Sequence, residues 1–95
     1  MNYCDSPIYY RRRPTREVAV GDPARGGVII GGAHPIVVQS MITSDTMDTS
    51  ESVRQTLELA AAGCELVRIT APTVKDAANL RNIAGELRAR GCRVP

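Results

Sequence analysis

The sequence predicts an α/β fold, the N-terminal part of a (βα)8 barrel of the TIM type. Strand-like and helix-like segments alternate, and the strand-like segments recur regularly, since Ile36 to Leu66 is 30 positions and Leu66 to Val94 is 28. Units of that length are typical of parallel strands joined by right-handed helical crossovers. Parallel strands need neighbours on both edges and helices on their faces, so we expect an incomplete barrel here.

A doubly wound parallel sheet is the structural alternative. Such a sheet normally carries a glycine-rich turn after its first strand. The corresponding turn, residues 40–48, contains no glycine, and the barrel is therefore favoured.

A β-hairpin is predicted ahead of the first βα unit. Residues 15–20 and 28–30 are β-prone and flank the segment DPARGG, a composition that indicates a hairpin, although the loop is long for one. Residues 1–14 show no hydrophobic period and end at Pro14. We expect them to form an extended basic arm, followed by the hairpin and barrel units over 15–95.

The first βα unit begins at Pro35, where β-branched residues predict a strand to Met41. Asp48 lies three residues before Glu51 in a capping-box pattern, which predicts a helix that ends before Gly63. The expected apolar stripe of this helix is Val53, Leu57, Ala60 or Ala61, and Cys64.

The second unit repeats the first. A strand over 66–70 is followed by a capping box from Thr73 to Asp76 and by a helix that ends before Gly91. Residues 92–95 predict the start of a third strand. The expected apolar stripe of this helix is Ala77, Leu80, Ala84 and Leu87.

Strand alternation separates a helix-facing side from an interior side. Arg68 is expected to point into the barrel near the carboxyl end of its strand, where barrel enzymes bind ligands, and Gln39 joins it from the adjacent strand. A guanidinium fork suits a phosphate or carboxylate, so we expect an anionic ligand or a partner acid. The expected interior residues are Val37, Gln39, Met41, Leu66, Arg68 and Thr70; the helix-facing ones are Ile36, Val38, Val67 and Ile69.

Composition excludes several classes of function. A net charge of +2 is too small to indicate a nucleic-acid partner. No apolar run reaches the roughly 18 residues of a membrane span, and no secretory signal is visible, so we expect a cytoplasmic protein. Cys4, Cys64 and Cys92 lack the spacing of a metal site.

Four segments resemble the N-terminal region of 4-hydroxy-3-methylbut-2-enyl diphosphate synthases, iron–sulfur enzymes of the non-mevalonate isoprenoid pathway. They are YYRRRPTREVAVG, IGGAHPIVVQSMITSDTMDT, AAGCELVRITAP and GCRVP. They run in the family's order and cover most of residues 9–95. The arm and the TSDT motif look more like the longer subtype, which has an inserted domain.

The resemblance implies a barrel followed by a separate cluster-binding domain. It implies reductive dehydration of 2-C-methyl-D-erythritol 2,4-cyclodiphosphate to 4-hydroxy-3-methylbut-2-enyl diphosphate, through a [4Fe–4S] cluster, with ferredoxin or flavodoxin as electron donor and a homodimer as the complete form. The cluster ligands, three cysteines and a glutamate, belong to the C-terminal domain. No cysteine here matches them, so this segment is expected to bind no cofactor and to be inactive alone.

The resemblance also assigns candidate site residues. Arg68, in VRIT, looks like one of the basic residues that hold the substrate diphosphate. The QSM turn at the rim of the substrate pocket is matched by Gln39, Ser40 and Met41, and Thr70 ends the VRIT motif. Ile42 stands where a hydroxyl residue is expected, so a rim contact is lost there. No catalytic residue and no metal ligand is assigned.

Other interpretations stay open at this point. One possibility is that Arg68 pairs with an acid in a structural network. Another is that the chain is a related barrel, such as a pterin-binding synthase. A third possibility is a non-catalytic protein that binds nucleic acid through Arg11–Arg13, although interleaved aromatic residues are missing. The stretch 43–48 is interpreted mainly as a loop and helix cap.

Overall fold

The computed structural model describes residues 13–95. Most of the predicted arm, residues 1–12, lies outside the described residues. The elements are β1 (Val18–Val20), a single 3₁₀ turn (Pro23–Arg25), β2 (Val28–Ile30), β3 (Gln39–Met41), α1 (Thr49–Ala61), β4 (Leu66–Arg68) and α2 (Val74–Ala89). The predicted α/β order is therefore confirmed for this part of the chain.

The predicted hairpin is confirmed. β1 and β2 pair antiparallel, with Val18 opposite Ile30. Asp22 organises the long loop, because its carboxylate accepts the Ala24 N–H at 3.0 Å and its carbonyl accepts the Gly27 N–H at 2.8 Å. One aspartate thus holds both ends of DPARGG, and the extra length forms a compact turn.

β3 and β4 form a parallel pair with α1 between them, as predicted. The register places Gln39 opposite Leu66 and Met41 opposite Arg68. β3 begins only at Gln39, and Ile36 and Val38 are 88% and 55% exposed. The expectation that these two side chains lie under the helices is therefore wrong here, because α1 packs beside β4.

The core lies between the two helices. Val53, Ile83 and Leu87 are buried together, and Ile69 packs against them from the end of β4. The predicted Ala84 is exposed instead. Leu87 of the predicted stripe is buried and Leu80 packs against the core, whereas Ala77 is exposed like Ala84. Asn79 and Ile83 are buried on α2 as well, so the predicted stripe is only partly correct.

The helix ends follow the predicted chemistry. Asp48 accepts the Glu51 N–H, and Thr73 and Asp76 form a complete reciprocal box. At α1 only one of the two hydrogen bonds of the capping box forms, because the Glu51 carboxylate binds Arg54 and not the Asp48 backbone. Both helices close with a left-handed glycine and a hydrogen bond from the residue after it, Cys64 N–H to the Leu59 carbonyl and Cys92 N–H to the Leu87 carbonyl.

The C-terminal residues begin to line the second edge of β4. Residues 92–95 have no strand assignment. The Val67 N–H nevertheless donates to the Pro95 carbonyl at 3.0 Å, while the Leu66 N–H bonds back to Val38, beside β3. Neither α1 nor α2 has the length and hydropathy that a membrane-crossing helix requires.

Candidate functional site

Three of the predicted site residues share one face of the β3–β4 pair. Gln39 and Met41 alternate with Ser40 along β3, and the register puts Met41 beside Arg68. In a parallel pair, residues in register point to the same side. The predicted common face of Gln39, Met41 and Arg68 is therefore confirmed, and all three side chains are exposed there.

Gln39 and Arg68 occupy different depths on this face. Arg68 is level with Met41, at the carboxyl end of the pair, whereas Gln39 is level with Leu66, at its start. Gln39 and Leu66 line an open cavity of about 440 Å³ that the hairpin residues Val18 and Ile30 also line. Gln39 thus faces the hairpin, and Arg68 faces the edge where barrels bind ligands.

The Ser40 side chain points to the opposite side of the β3–β4 pair from Gln39 and Met41. It pairs with Val67, which lines a cavity of about 270 Å³ together with Ile69 and the helix residues Ile83 and Leu87. Ser40 is half-buried on this helix-facing side. Its contact with substrate stays a prediction, one that the strand direction does not favour.

Arg68 presents an exposed guanidinium. None of the salt bridges within residues 13–95 includes Arg68, and its side chain donates no hydrogen bond to that part of the chain. The alternative of a structural acid partner therefore finds none among these residues. A guanidinium at the carboxyl end of a parallel strand can bind a phosphate or carboxylate bidentately.

The loop between β3 and α1 is held by buried polar groups that sequence reasoning missed. Thr46 is 3% exposed, and its hydroxyl donates to the Thr70 carbonyl at 2.6 Å. Asn79 donates its amide to the Thr46 carbonyl at 2.7 Å. Ile42 is buried as well, so its side chain packs inward and offers no rim contact.

The other end of this loop is held by α1. The Gln55 side-chain oxygen accepts the N–H groups of Thr43 and Ser44, at 2.8 and 3.2 Å. Ser52 is fully buried and lies 3.1 Å from the Ser44 hydroxyl. Ser52 and Thr56 recur at four-residue spacing beside the apolar stripe, which is the sequence signal that could have identified them.

The strongest charge coupling lies on the outer surface of α1. The hydrogen bond from Arg54 lowers the pKa of Glu51 to about 2, and a second one from Gln55 acts in the same direction. The pKa of Arg54 is raised by the same contact with Glu51. These groups stabilise the helix and do not face Arg68.

The described residues do not suit an iron–sulfur cluster. Within residues 13–95, no group of three or more His, Cys, Asp and Glu side chains is placed to hold a metal ion. The buried Cys64 thiol donates to the Leu66 carbonyl at 3.0 Å, and Cys92 packs against the helix core.

Comparison with known proteins decides the family. The family model described as the GcpE TIM-barrel domain matches residues 15–92. The chain belongs to the GcpE family. GcpE membership confirms the resemblance inferred from the four sequence segments, and it favours the barrel over the doubly wound sheet.

Diphosphate synthases of the GcpE family match almost the whole chain. It is 58% identical over 94 residues to the 4-hydroxy-3-methylbut-2-en-1-yl diphosphate synthase (flavodoxin) of Akkermansia muciniphila, covering 99% of this chain and 15% of that protein. The flavodoxin enzyme of Leptospira interrogans is 55% identical over 93 residues, covering 98% and 13%. The ferredoxin enzyme of a Synechococcus strain is 51% identical over 84 residues, covering 88% and 20%.

The chain therefore spans between 13% and 20% of the length of these GcpE relatives. None of their names supports a pterin-binding barrel. The nucleic-acid alternative rests on Arg11–Arg13, of which only Arg13 lies within the described residues.

Proposed function

We propose that this chain is part of a 4-hydroxy-3-methylbut-2-enyl diphosphate synthase and forms, over residues 15–95, the hairpin and first two βα units of its (βα)8 barrel. The family match over 15–92 and the 58% identity to a synthase support this. The complete protein converts 2-C-methyl-D-erythritol 2,4-cyclodiphosphate to 4-hydroxy-3-methylbut-2-enyl diphosphate, with uptake of two electrons and loss of water.

The observation that carries the proposal is the exposed guanidinium of Arg68. It stands at the carboxyl end of a parallel strand and has no acid partner among residues 13–95. Its donor fork matches a phosphate oxygen pair. Met41 stands beside it and Thr70 follows two positions later, so both line the same site. Gln39 is a further proposed contact, deeper on the same face. Ser40 is the least favoured of the proposed contacts, because its side chain lies on the helix-facing side.

The proposal places the [4Fe–4S] cluster outside this segment. The thiols of Cys64 and Cys92 serve packing here, and a cluster would supply the two electrons of the reaction. Relatives named for flavodoxin and relatives named for ferredoxin both match this chain, so either protein is a suitable electron donor. We propose a cytoplasmic homodimer as the complete form; the free thiols of Cys64 and Cys92 suit that reducing compartment.

A segment exchange tests this function. In the Akkermansia muciniphila synthase, the matching 94 residues would be replaced by this chain, and reduction of the cyclodiphosphate would be measured. We expect the hybrid to be active. A folded hybrid with a complete cluster but no turnover would contradict the proposal.

The role of Arg68 is tested in the same hybrid. Arg68→Gln removes the charged fork and should raise KM about tenfold or more, since hydrogen bonds to charged groups contribute more than neutral ones. Arg81→Gln, on the exposed surface of α2, is the matched control and should leave KM unchanged. An unchanged KM for Arg68→Gln would refute the diphosphate contact.

A further inference from the structure

A buried chain of hydrogen bonds connects α2, the loop after β3 and the end of β4. The Asn79 amide donates to the Thr46 carbonyl at 2.7 Å, and the Thr46 hydroxyl donates to the Thr70 carbonyl at 2.6 Å. Thr46 is 3% exposed and Asn79 is 9% exposed. Buried polar groups of this kind define a single arrangement, because an unpaired one is costly.

Asn79 has one orientation in this chain. Its amide nitrogen also donates to the Thr49 hydroxyl at 3.0 Å, and its oxygen accepts the Asn82 amide at 2.9 Å. A flipped amide would face the Thr46 carbonyl with its own oxygen and lose that donation. The contacts of Asn79 therefore place the Thr46 backbone, and through it the Thr46 hydroxyl.

The segment after β3 also holds the backbone around Arg68. The Ile42 N–H donates to the Arg68 carbonyl at 3.3 Å, and the Thr46 hydroxyl holds the carbonyl two residues later. β4 ends at Arg68, so no ladder continues beyond it. The Arg68 side chain has no polar contact with residues 13–95, and its direction is therefore set by this backbone.

We propose that Thr46 and Asn79 are positioning residues for the anion site of Arg68. This inference rests on the proposed function, in which Arg68 binds the substrate diphosphate. Thr46 holds the end of β4 in the conformation that aims the guanidinium at the diphosphate, and Asn79 holds Thr46. A contact made by the bound substrate and by the transition state alike changes KM more than kcat when it is displaced.

The test uses the active hybrid synthase and three variants. Thr46→Val removes the hydroxyl donor at constant shape, Thr46→Ser keeps it, and Asn79→Asp replaces the amide donor by a carboxylate oxygen. We expect the valine and aspartate variants to raise KM about tenfold, with kcat within about twofold, because small misplacements of a binding group weaken it strongly. The serine variant should restore KM.

Asn82→Ala is the matched control, since it removes a contact of Asn79 but leaves the donation to Thr46. Its KM should equal that of the unsubstituted hybrid. Hydrogen exchange of residues 43–48 and 69–73 gives a readout without turnover. Exchange should increase in both segments together in Thr46→Val and in Asn79→Asp.

Two results would overturn the positioning role. One is an unchanged KM in Thr46→Val and Asn79→Asp while Arg68→Gln raises KM, an outcome that leaves the proposed function standing. The other is a fall in kcat and in melting temperature in these two variants without any rise in KM. If Thr46→Val does not fold, Asn79→Asp decides the question. An unchanged KM for Arg68→Gln would refute the proposed function and the positioning role together.

Discussion

The polar stretch from Gln39 to Asp48 contains residues with three different tasks. Gln39 and Met41 lie on the strand face that carries Arg68. Thr46 is buried and connects the loop to the end of β4. Asp48 caps α1 by accepting the Glu51 N–H at 3.1 Å. Substitutions in this short stretch should therefore affect substrate binding or stability, depending on the residue.

Asp48→Ala should lower the free energy of unfolding by about 1 kcal/mol, the usual cost of losing a cap. Urea unfolding of the hybrid synthase measures this, and KM should not change. Gln39→Ala should do the opposite, impairing substrate use at nearly constant stability. If Asp48→Ala changed KM and Gln39→Ala changed only stability, this division of the stretch would be wrong.

The pair of Glu51 and Arg54 gives a pH dependence with a defined sign. The hydrogen bond from Arg54 lowers the pKa of Glu51 to about 2 from its ordinary 4.5. Because the pKa of Glu51 is lower in the folded state, the contact stabilises that state at pH values above the pKa of the unfolded chain. This stabilisation is lost as pH falls toward about 2. The effect is small, because both side chains are solvent-accessible.

The melting temperatures of the hybrid and of its Glu51→Gln variant, measured from pH 6 to pH 3, check this. The difference between them should be largest at pH 6 and narrow below about pH 4.5. A difference that widened on acidification would contradict the assigned contact.

At the scale of single elements, replacing a glycine in the hairpin turn and replacing one in α2 should change stability in opposite directions. A Cβ on Gly27 would lie 2.5 Å from the Asp22 backbone, whereas one on Gly85 would meet nothing within 4 Å. Gly27 is needed because the turn closes on the Asp22 carbonyl. Gly85 lies inside α2, where glycine lowers helix stability.

Gly27→Ala should therefore destabilise the hybrid synthase by about 1 kcal/mol or more, and Gly85→Ala should stabilise it by about 0.5–1 kcal/mol. Urea unfolding compares the two substitutions, which add the same methyl group. Equal effects would show that the close packing of the hairpin turn does not persist in the complete protein.

At the scale of the whole molecule, the described part leaves apolar side chains without cover. Ile36 is 88% exposed and Val74 is 87% exposed. A small chain buries too little surface for much stability. We expect the isolated 95-residue chain to bind a hydrophobic dye, to unfold without a sharp transition and to show no turnover. Cooperative melting together with reduction of the cyclodiphosphate would contradict this.

Local signals predicted most of the elements correctly. The cap at Asp48, the box at Thr73, the closing glycines and the hairpin all depend on neighbours a few residues apart, so they can be inferred from spacing. The common strand face of Arg68 and Gln39 was predicted correctly for a similar reason, since the alternation of side chains along a strand is also local. The buried set on α2 was predicted less well, since the exposed Ala84 and the buried Ile83 differ only in which face α1 covers.

The sequence by itself determined the order of elements, the helix ends and the face of Arg68, because these follow from turn chemistry and strand alternation. Only the tertiary structure decided that Thr46 and Asn79 connect the loop to β4, that Gln39 lies two register positions below Arg68, and that Ile36 stays exposed. These features depend on contacts between residues about 25 to 35 positions apart. Local sequence patterns do not indicate which distant residues come into contact.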